Sequence, residues 1–340
     1  MLLALCIAAA FLASLLLPFL FIPFLRRLGV LDIPNERSSH TKVIIRGVGV
    51  TIAAGVLLGL SLSVLTGLVP VDRSVVLILV AVIGCASLLG WIEDFRGLSV
   101  RVRAGLQLAI GLLGTAALVW TMEQSYWWVP VGGLFIAAYI NVANFMDGVN
   151  GISGLHGVAV GILYAVAGML SDHIWLTAAG AVTAAAFAAF LPWNLGRGSV
   201  FMGDVGSYLL GASVAGIAVA AFLAGVDVEY LLFPIVIYLA DTFSTLLLRV
   251  SRGERWYAAH RQHVYQRLTD VGLSHLQSAG LVTACTVLTG TAGLLIAGAG
   301  NGVKLTGSLF AVAVVVFYLC SPRILRTRQA RVRAVGNTGR

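Results

Sequence analysis

The chain has 340 residues, of which 59% are hydrophobic and only 11% charged, with a mean hydropathy of +0.97 and a formal net charge of +8. A soluble domain carries about 25% charged residues, so a water-soluble globule is excluded. No soluble module is left to display a basic patch, so a nucleic-acid partner is not expected.

Eleven apolar runs are long enough to cross a hydrocarbon core of about 30 Å as helices. In chain order they are predicted over 2–24, 47–69, 74–92, 104–121, 130–146, 154–171, 174–192, 207–226, 230–248, 278–298 and 305–321. The expected fold is therefore an all-α polytopic membrane protein, with one multi-span domain over 1–321 and a basic tail over 322–340. The first run has no basic residue before it and Arg26-Arg27 after it, which reads as an uncleaved anchor rather than a secretory signal. Of the 22 Lys and Arg residues, 20 fall in loops of one side and only Arg73 and Lys304 in loops of the other. Positive charge stays inside, which puts the amino terminus outside and the carboxyl terminus in the cytoplasm. Trp127 and Trp128, in an outer loop, read as an interfacial belt. The four cysteines lie within apolar runs, with no C-x-x-C pair, and indicate neither disulfides nor zinc.

The inner loops carry the unusual residues. "GWIEDFRG" places Glu93 and Asp94 at the end of the third run. "NVANFMDGVNGISG" closes the fifth with Asn141, Asn144 and Asp147 at spacings of three, so that they share one helix face, and then turns through Gly148, Gly151 and Gly154. "SVFMGDVGS" sets Asp204 between glycines just before the eighth run, where a helix start offers free N–H groups. "RGERWYAAHRQHVYQRL" gathers Arg252, Arg255, His260, Arg261, His263 and Arg267. Any one of these reads equally well as caps or interfacial groups. Taken together, carboxylates, amides and a basic, His-bearing loop on one side suit a divalent metal and a phosphorylated substrate. Oxygen donors favour Mg²⁺ or Mn²⁺ over zinc.

"NVANFMDGVNG", "FMGDVGS" and the acidic pair before "FRGLS" resemble the polyprenyl-phosphate N-acetylaminosugar-1-phosphate transferases, of glycosyltransferase family 4 type, over roughly residues 25 to 270. "GVLDIPNERSSHT" and "AHRQHVYQRL" look most like the O-antigen-initiating branch, which uses GlcNAc or FucNAc donors. The resemblance implies attack of undecaprenyl phosphate on the β-phosphorus of a UDP-N-acetylaminosugar, with UMP released, Mg²⁺ as cofactor and the site on the cytoplasmic face of a bacterial inner membrane. It also implies roles. Asp204 matches the metal-binding aspartate, with Asn144 and Asp147 near metal and diphosphate. Asn141 matches the first Asn of its motif. Asp94, beside Glu93, matches an acid acting on the lipid phosphate. His260, Arg261 and His263 match the loop that meets diphosphate or sugar. Three departures stand out: Glu93 replaces an aspartate, Asn150 replaces a second acid near the nucleotide base, and Val48 replaces a glycine.

Asp241, inside the ninth run, is expected to have a partner, through pairing or a hydroxyl network. His156 reads as a packing residue, and the tail as a lipid-surface or disordered segment. The alternative class is a polytopic transporter or channel with a cytoplasmic polar vestibule. The motifs are compatible with GlcNAc, FucNAc or QuiNAc as the sugar and with a homodimer. Membrane lipids are expected neighbours throughout.

Overall fold

Without water to bond to, a spanning backbone satisfies its own N–H and C=O groups, so long apolar runs become helices. The computed structural model describes residues 1–32, 44–196, 200–254 and 261–338. The described helices are α1 (Leu2–Arg27), α2 (Gly49–Leu65), α3 (Arg73–Arg96), α4 (Val100–Thr121), α5 (Trp128–Met146), α6 (Ile152–Leu170) and α7 (Ile174–Leu195). They continue with α8 (Gly203–Leu223), α9 (Val228–Leu232), α10 (Val236–Ser251), the short α11 (Val264–Asp270), α12 (His275–Ile296) and α13 (Asn301–Thr338).

Among the described residues, ten segments are long and apolar enough to cross a membrane, counting Val228–Ser251 as one. The shorter apolar helix α2 has 17 residues, a length of about 25 Å. Together they match the eleven expected runs one for one. Two details differ from the sequence reading. The ninth run is broken by a tight turn at Phe233–Ile235, where Pro234 offers no backbone donor. The last helix does not stop at the membrane edge; it continues past Pro322 to Thr338, so most of the basic tail is helical.

Every residue of α8 except Phe222 is buried. A helix apolar on all sides belongs in a core, and α8 packs against α2, α3, α4 and α5. Its start is pinned closely. Gly90 of α3 lies against the backbone of Asp204, where no side chain would fit. Gly203 has φ +71°, and a Cβ there would meet the Asp94 carboxylate, so glycine is required twice over.

A small β-structure completes this end. Strands β1 (Leu31–Asp32) and β2 (Ile44–Ile45) pair antiparallel, with Leu31 opposite Ile45. The segment before α8 adds to β2: Ile45 bridges Val200, the Phe201 N–H donates to the Ile45 carbonyl (2.8 Å), and the Gly49 N–H donates to the Met202 carbonyl (2.9 Å). This clasp sets Arg46 beside Asp204. At the opposite end of the bundle Lys304 pairs with Glu229 at 2.7 Å.

Candidate active site

Asp94 ends α3 and points at the start of α8. Its Oδ1 accepts the Asp204 N–H (2.9 Å) and its Oδ2 the Val205 N–H (3.0 Å). The Arg46 Nε lies 2.6 Å from Oδ1, and the Asp94 side chain is fully buried. The carboxylate thus caps α8, where helical N–H groups lack partners and the dipole favours negative charge. Its oxygens are committed to backbone and guanidinium, which separates it from any substrate. The role carried over for Asp94, an acid acting directly on a lipid phosphate, does not fit this geometry.

Asp204, in the first turn of α8, is the acid on the open side. Its Oδ1 accepts from the Asn144 Nδ2 (2.8 Å), and its Oδ2 pairs with the Arg46 Nη2 (2.8 Å). The same Asn144 amide donates to Ser207 Oγ at 3.0 Å. Arg46, about one-third exposed, therefore joins the two acids. Asp147 follows one turn after Asn144, at the end of α5. Burial pushes its carboxyl above the usual carboxylate range; a neighbouring Ser153 hydroxyl opposes this and the Asp204 charge adds to it. Asn150 sits, partly exposed, in the turn that follows. That turn is fixed by Asn194 of α7, which accepts from the Gly151 N–H and donates to the Val200 carbonyl at 3.0 Å.

Other expected residues stand beside this cluster, each with partners of its own. Glu93 closes the α3–α4 connection, accepting from the Leu98 N–H (2.7 Å) and pairing with Arg103 (3.2 Å). Asn141 donates to the buried Gln107 of α4 at 2.6 Å, one turn back from Asn144. The stripe of three is therefore divided between α4 and α8. His263 begins α11 and stacks on Phe145, ring centroids 6.4 Å apart. The Tyr265 hydroxyl donates to the Phe145 carbonyl at 3.0 Å, which fixes α11 to the end of α5. Arg261 pairs loosely with Asp270 at 3.6 Å. His260 and Arg255 lie outside the described residues.

Among the described residues no three His, Cys, Asp or Glu side chains form a ready metal cage. Mg²⁺ does not require one: it binds through one or two carboxylates, substrate phosphates and water. Asp204, with the Asn144 amide beside it and Asp147 near, fits that mode of binding. Zinc, which wants four closed ligands of nitrogen or sulfur, does not fit.

Residues 75–222, which carry α3 to α8 and with them Glu93, Asp94, Asn141, Asn144, Asp147 and Asp204, match the model of glycosyl transferase family 4. Over that stretch the chain is similar to that family. It is an enzyme of the transferase class and a multi-pass membrane protein. It is 26% identical over 80% of its length to the probable undecaprenyl-phosphate N-acetylglucosaminyl 1-phosphate transferase of Bacillus subtilis (strain 168), of which the alignment covers 80%. It is 27% identical over 88% of its length to the undecaprenyl-phosphate alpha-N-acetylglucosaminyl 1-phosphate transferase of Yersinia pestis, 86% of which is covered. It is also 27% identical over 85% to the decaprenyl-phosphate N-acetylglucosaminephosphotransferase of Mycolicibacterium smegmatis, 81% of which is covered.

Sequence reasoning missed Arg46, Asn194, Gln107 and Ser207. For Arg46 a signal existed: it is a lone cation before the glycine pair of "RGVGV", at the foot of a spanning helix. Asn194 and Gln107 carried no local pattern that sets them apart from other polar residues near helix ends.

Proposed function

We propose that this chain transfers an N-acetylaminosugar-1-phosphate from a UDP-sugar to undecaprenyl phosphate, at the cytoplasmic face of a bacterial inner membrane. A phosphate oxygen of the lipid attacks the β-phosphorus of the UDP-sugar; the bond to the bridging oxygen breaks, and UMP leaves with that oxygen. The product is the lipid-diphospho-sugar. The step would open assembly of O-antigen or a related envelope polysaccharide.

The observation that carries this reading is the juxtaposition of Asp204, Asn144, Asp147 and Arg46 where α8 begins and α5 ends. Phosphoryl transfer needs positioning and neutralised charge more than covalent chemistry. Asp204, assisted by Asn144, would hold Mg²⁺. Bound there, Mg²⁺ would offset negative charge on the diphosphate and on departing UMP. Asp147, raised by burial, would stand next to the diphosphate. Arg46 would share its charge between Asp204 and an arriving phosphate. Asp94 is assigned a positioning role, holding Asp204 and Arg46 in register. Arg261 and His263, with His260, would meet the donor's diphosphate or sugar from α11, whose start adjoins Phe145. The same alternation of loops that gathers these residues at one end places nearly all Lys and Arg there, which supports a cytoplasmic orientation.

A panel of UDP-GlcNAc, UDP-FucNAc and UDP-QuiNAc, offered with undecaprenyl phosphate and Mg²⁺ to purified protein, tests this. One sugar should give UMP and lipid-diphospho-sugar in equal amounts. No UMP from any of them, with a well-folded sample, would remove the proposal.

A further inference from the structure

Asp241 lies on α10 and is fully buried. Its Oδ1 is 3.0 Å from His263 Nδ1 and accepts the Val264 N–H (3.0 Å) and the Thr245 hydroxyl (3.3 Å). Its Oδ2 accepts the Tyr318 hydroxyl (2.6 Å) and the Tyr265 N–H (3.3 Å). Two backbone N–H groups, which can only donate, meet its two oxygens, one on each, and that environment suits a carboxylate. A carboxylate accepts only, and the proton between it and the imidazole therefore sits on Nδ1. Buried charge of this kind is costly unless it is paired. A fold has no need of it where a hydrophobic contact between α10, α11 and α13 would serve.

The arrangement leads from the middle of the bundle to the site. Asp241 holds Nδ1 of His263; the ring stacks on Phe145, the neighbour of Asn144. The same carboxylate caps α11, and Tyr265 of α11 bonds the Phe145 carbonyl. Gln262, just before His263, is secured as well: Glu254 pairs with the buried Arg249 of α10 (3.2 Å) and accepts from Gln262 (2.9 Å). Gln262 and His263, the two residues that follow Arg261, are thus tied to α10 through Glu254 and Asp241.

We infer that Asp241 is a positioning residue for the transfer reaction: through Nδ1 and the first N–H groups of α11 it presets the His263 ring and Arg261 toward the phosphates of the donor, with Tyr318 of the last spanning helix holding the carboxylate in place. This rests on the proposed function, specifically on His263 meeting the donor. Asp241 touches no substrate and acts through His263. The lipid acceptor should not sense it.

The test is a kinetic cycle on the full-length protein, with KM for UDP-sugar, KM for undecaprenyl phosphate and kcat measured separately. Tyr318→Phe removes one hydroxyl and keeps the packing. It should raise the UDP-sugar KM about three- to ten-fold, the weight of one hydrogen bond, and leave the lipid KM unchanged. In a His263→Ala background the same Tyr318→Phe change should do nothing further, because coupled residues are not additive. Asp241→Asn should act in the same direction and more strongly; if it does not fold, the Tyr318 cycle decides alone. Equal effects of Tyr318→Phe in both backgrounds, or equal shifts in both KM values, would mean a purely structural role and overturn the inference. In that case wild-type turnover persists and the proposed function stands. If the wild type itself releases no UMP, the function is wrong and the inference falls with it.

Discussion

Asp94 and Asp241 are the same device used in two places. Each is a fully buried carboxylate on one spanning helix that caps the start of another: Asp94 takes the N–H groups of Asp204 and Val205 at α8, and Asp241 those of Val264 and Tyr265 at α11. Each is held by a basic side chain, Arg46 in the first case and His263 in the second. The difference lies in what surrounds that side chain. Arg46 is about one-third exposed and reaches on to Asp204, whereas His263 is almost fully buried, and Asp241 takes a further hydroxyl from Tyr318. The first carboxylate borders the open site; the second is sealed beneath it. In a membrane protein, where a charge among apolar helices is expensive, capping a helix and holding a cation together stabilise the acid and set the position of what the helix carries.

That comparison can be broken at several points, and the largest effect is expected at Asp94. Asp94→Asn keeps the shape but leaves Arg46 short of a partner and sets an amide against two N–H donors. Breaking a buried pair costs about 3–5 kcal/mol, so the purified variant should melt well below wild type and lose nearly all turnover, the two losses appearing together. A variant that melts normally yet is inactive would return Asp94 to direct chemistry. Arg46→Ala should separate the two readouts. Its guanidinium is partly in water, so melting should change modestly, while turnover falls by about 100-fold through loss of a cation at the phosphates. Turnover near wild type would make Arg46 a structural clasp only. Smaller still is Glu93→Gln: its pair with Arg103 is near the surface, worth about 0–1 kcal/mol, and turnover should stay within about three-fold of wild type. A large loss there would show that Glu93 leaves its loop to take part in the reaction. Finally, a reporter fused after Arg340 should read cytoplasm; an outward reading would invert the face on which all of this stands.

Much of the fold was legible because the bilayer leaves few options. Hydropathy alone placed all eleven apolar segments, and the loop charges gave an alternation consistent with the site residues meeting at one end. Asp204, Asn144 and Asp147 were legible because short-range motifs carry them: an acid between glycines before a helix, and a stripe at spacings of three. Asp241 was expected to be partnered, and it is. What stayed hidden depends on distance along the chain. Arg46 meets Asp204 only because two-residue strands and the "VFM" segment pair edge to edge, and no periodicity announces strands so short. Asn141 and Asn144 share a stripe, yet adjacent turns of α5 face different neighbours, so the pattern located the residues without telling which one meets Asp204. Asp94 shows the same limit: an acid at a helix end reads as available, and only the start of α8, more than a hundred residues later, reveals that it is occupied.

The central claim is that Asp204 is the acid around which the transfer is organised. Its most direct test is Asp204→Asn in purified, correctly inserted protein, assayed for UMP release from UDP-sugar and undecaprenyl phosphate across a range of Mg²⁺. The account predicts an intact fold, at least about a 100-fold loss of turnover, and no recovery at high Mg²⁺. Wild-type turnover by Asp204→Asn at limiting Mg²⁺ would contradict it.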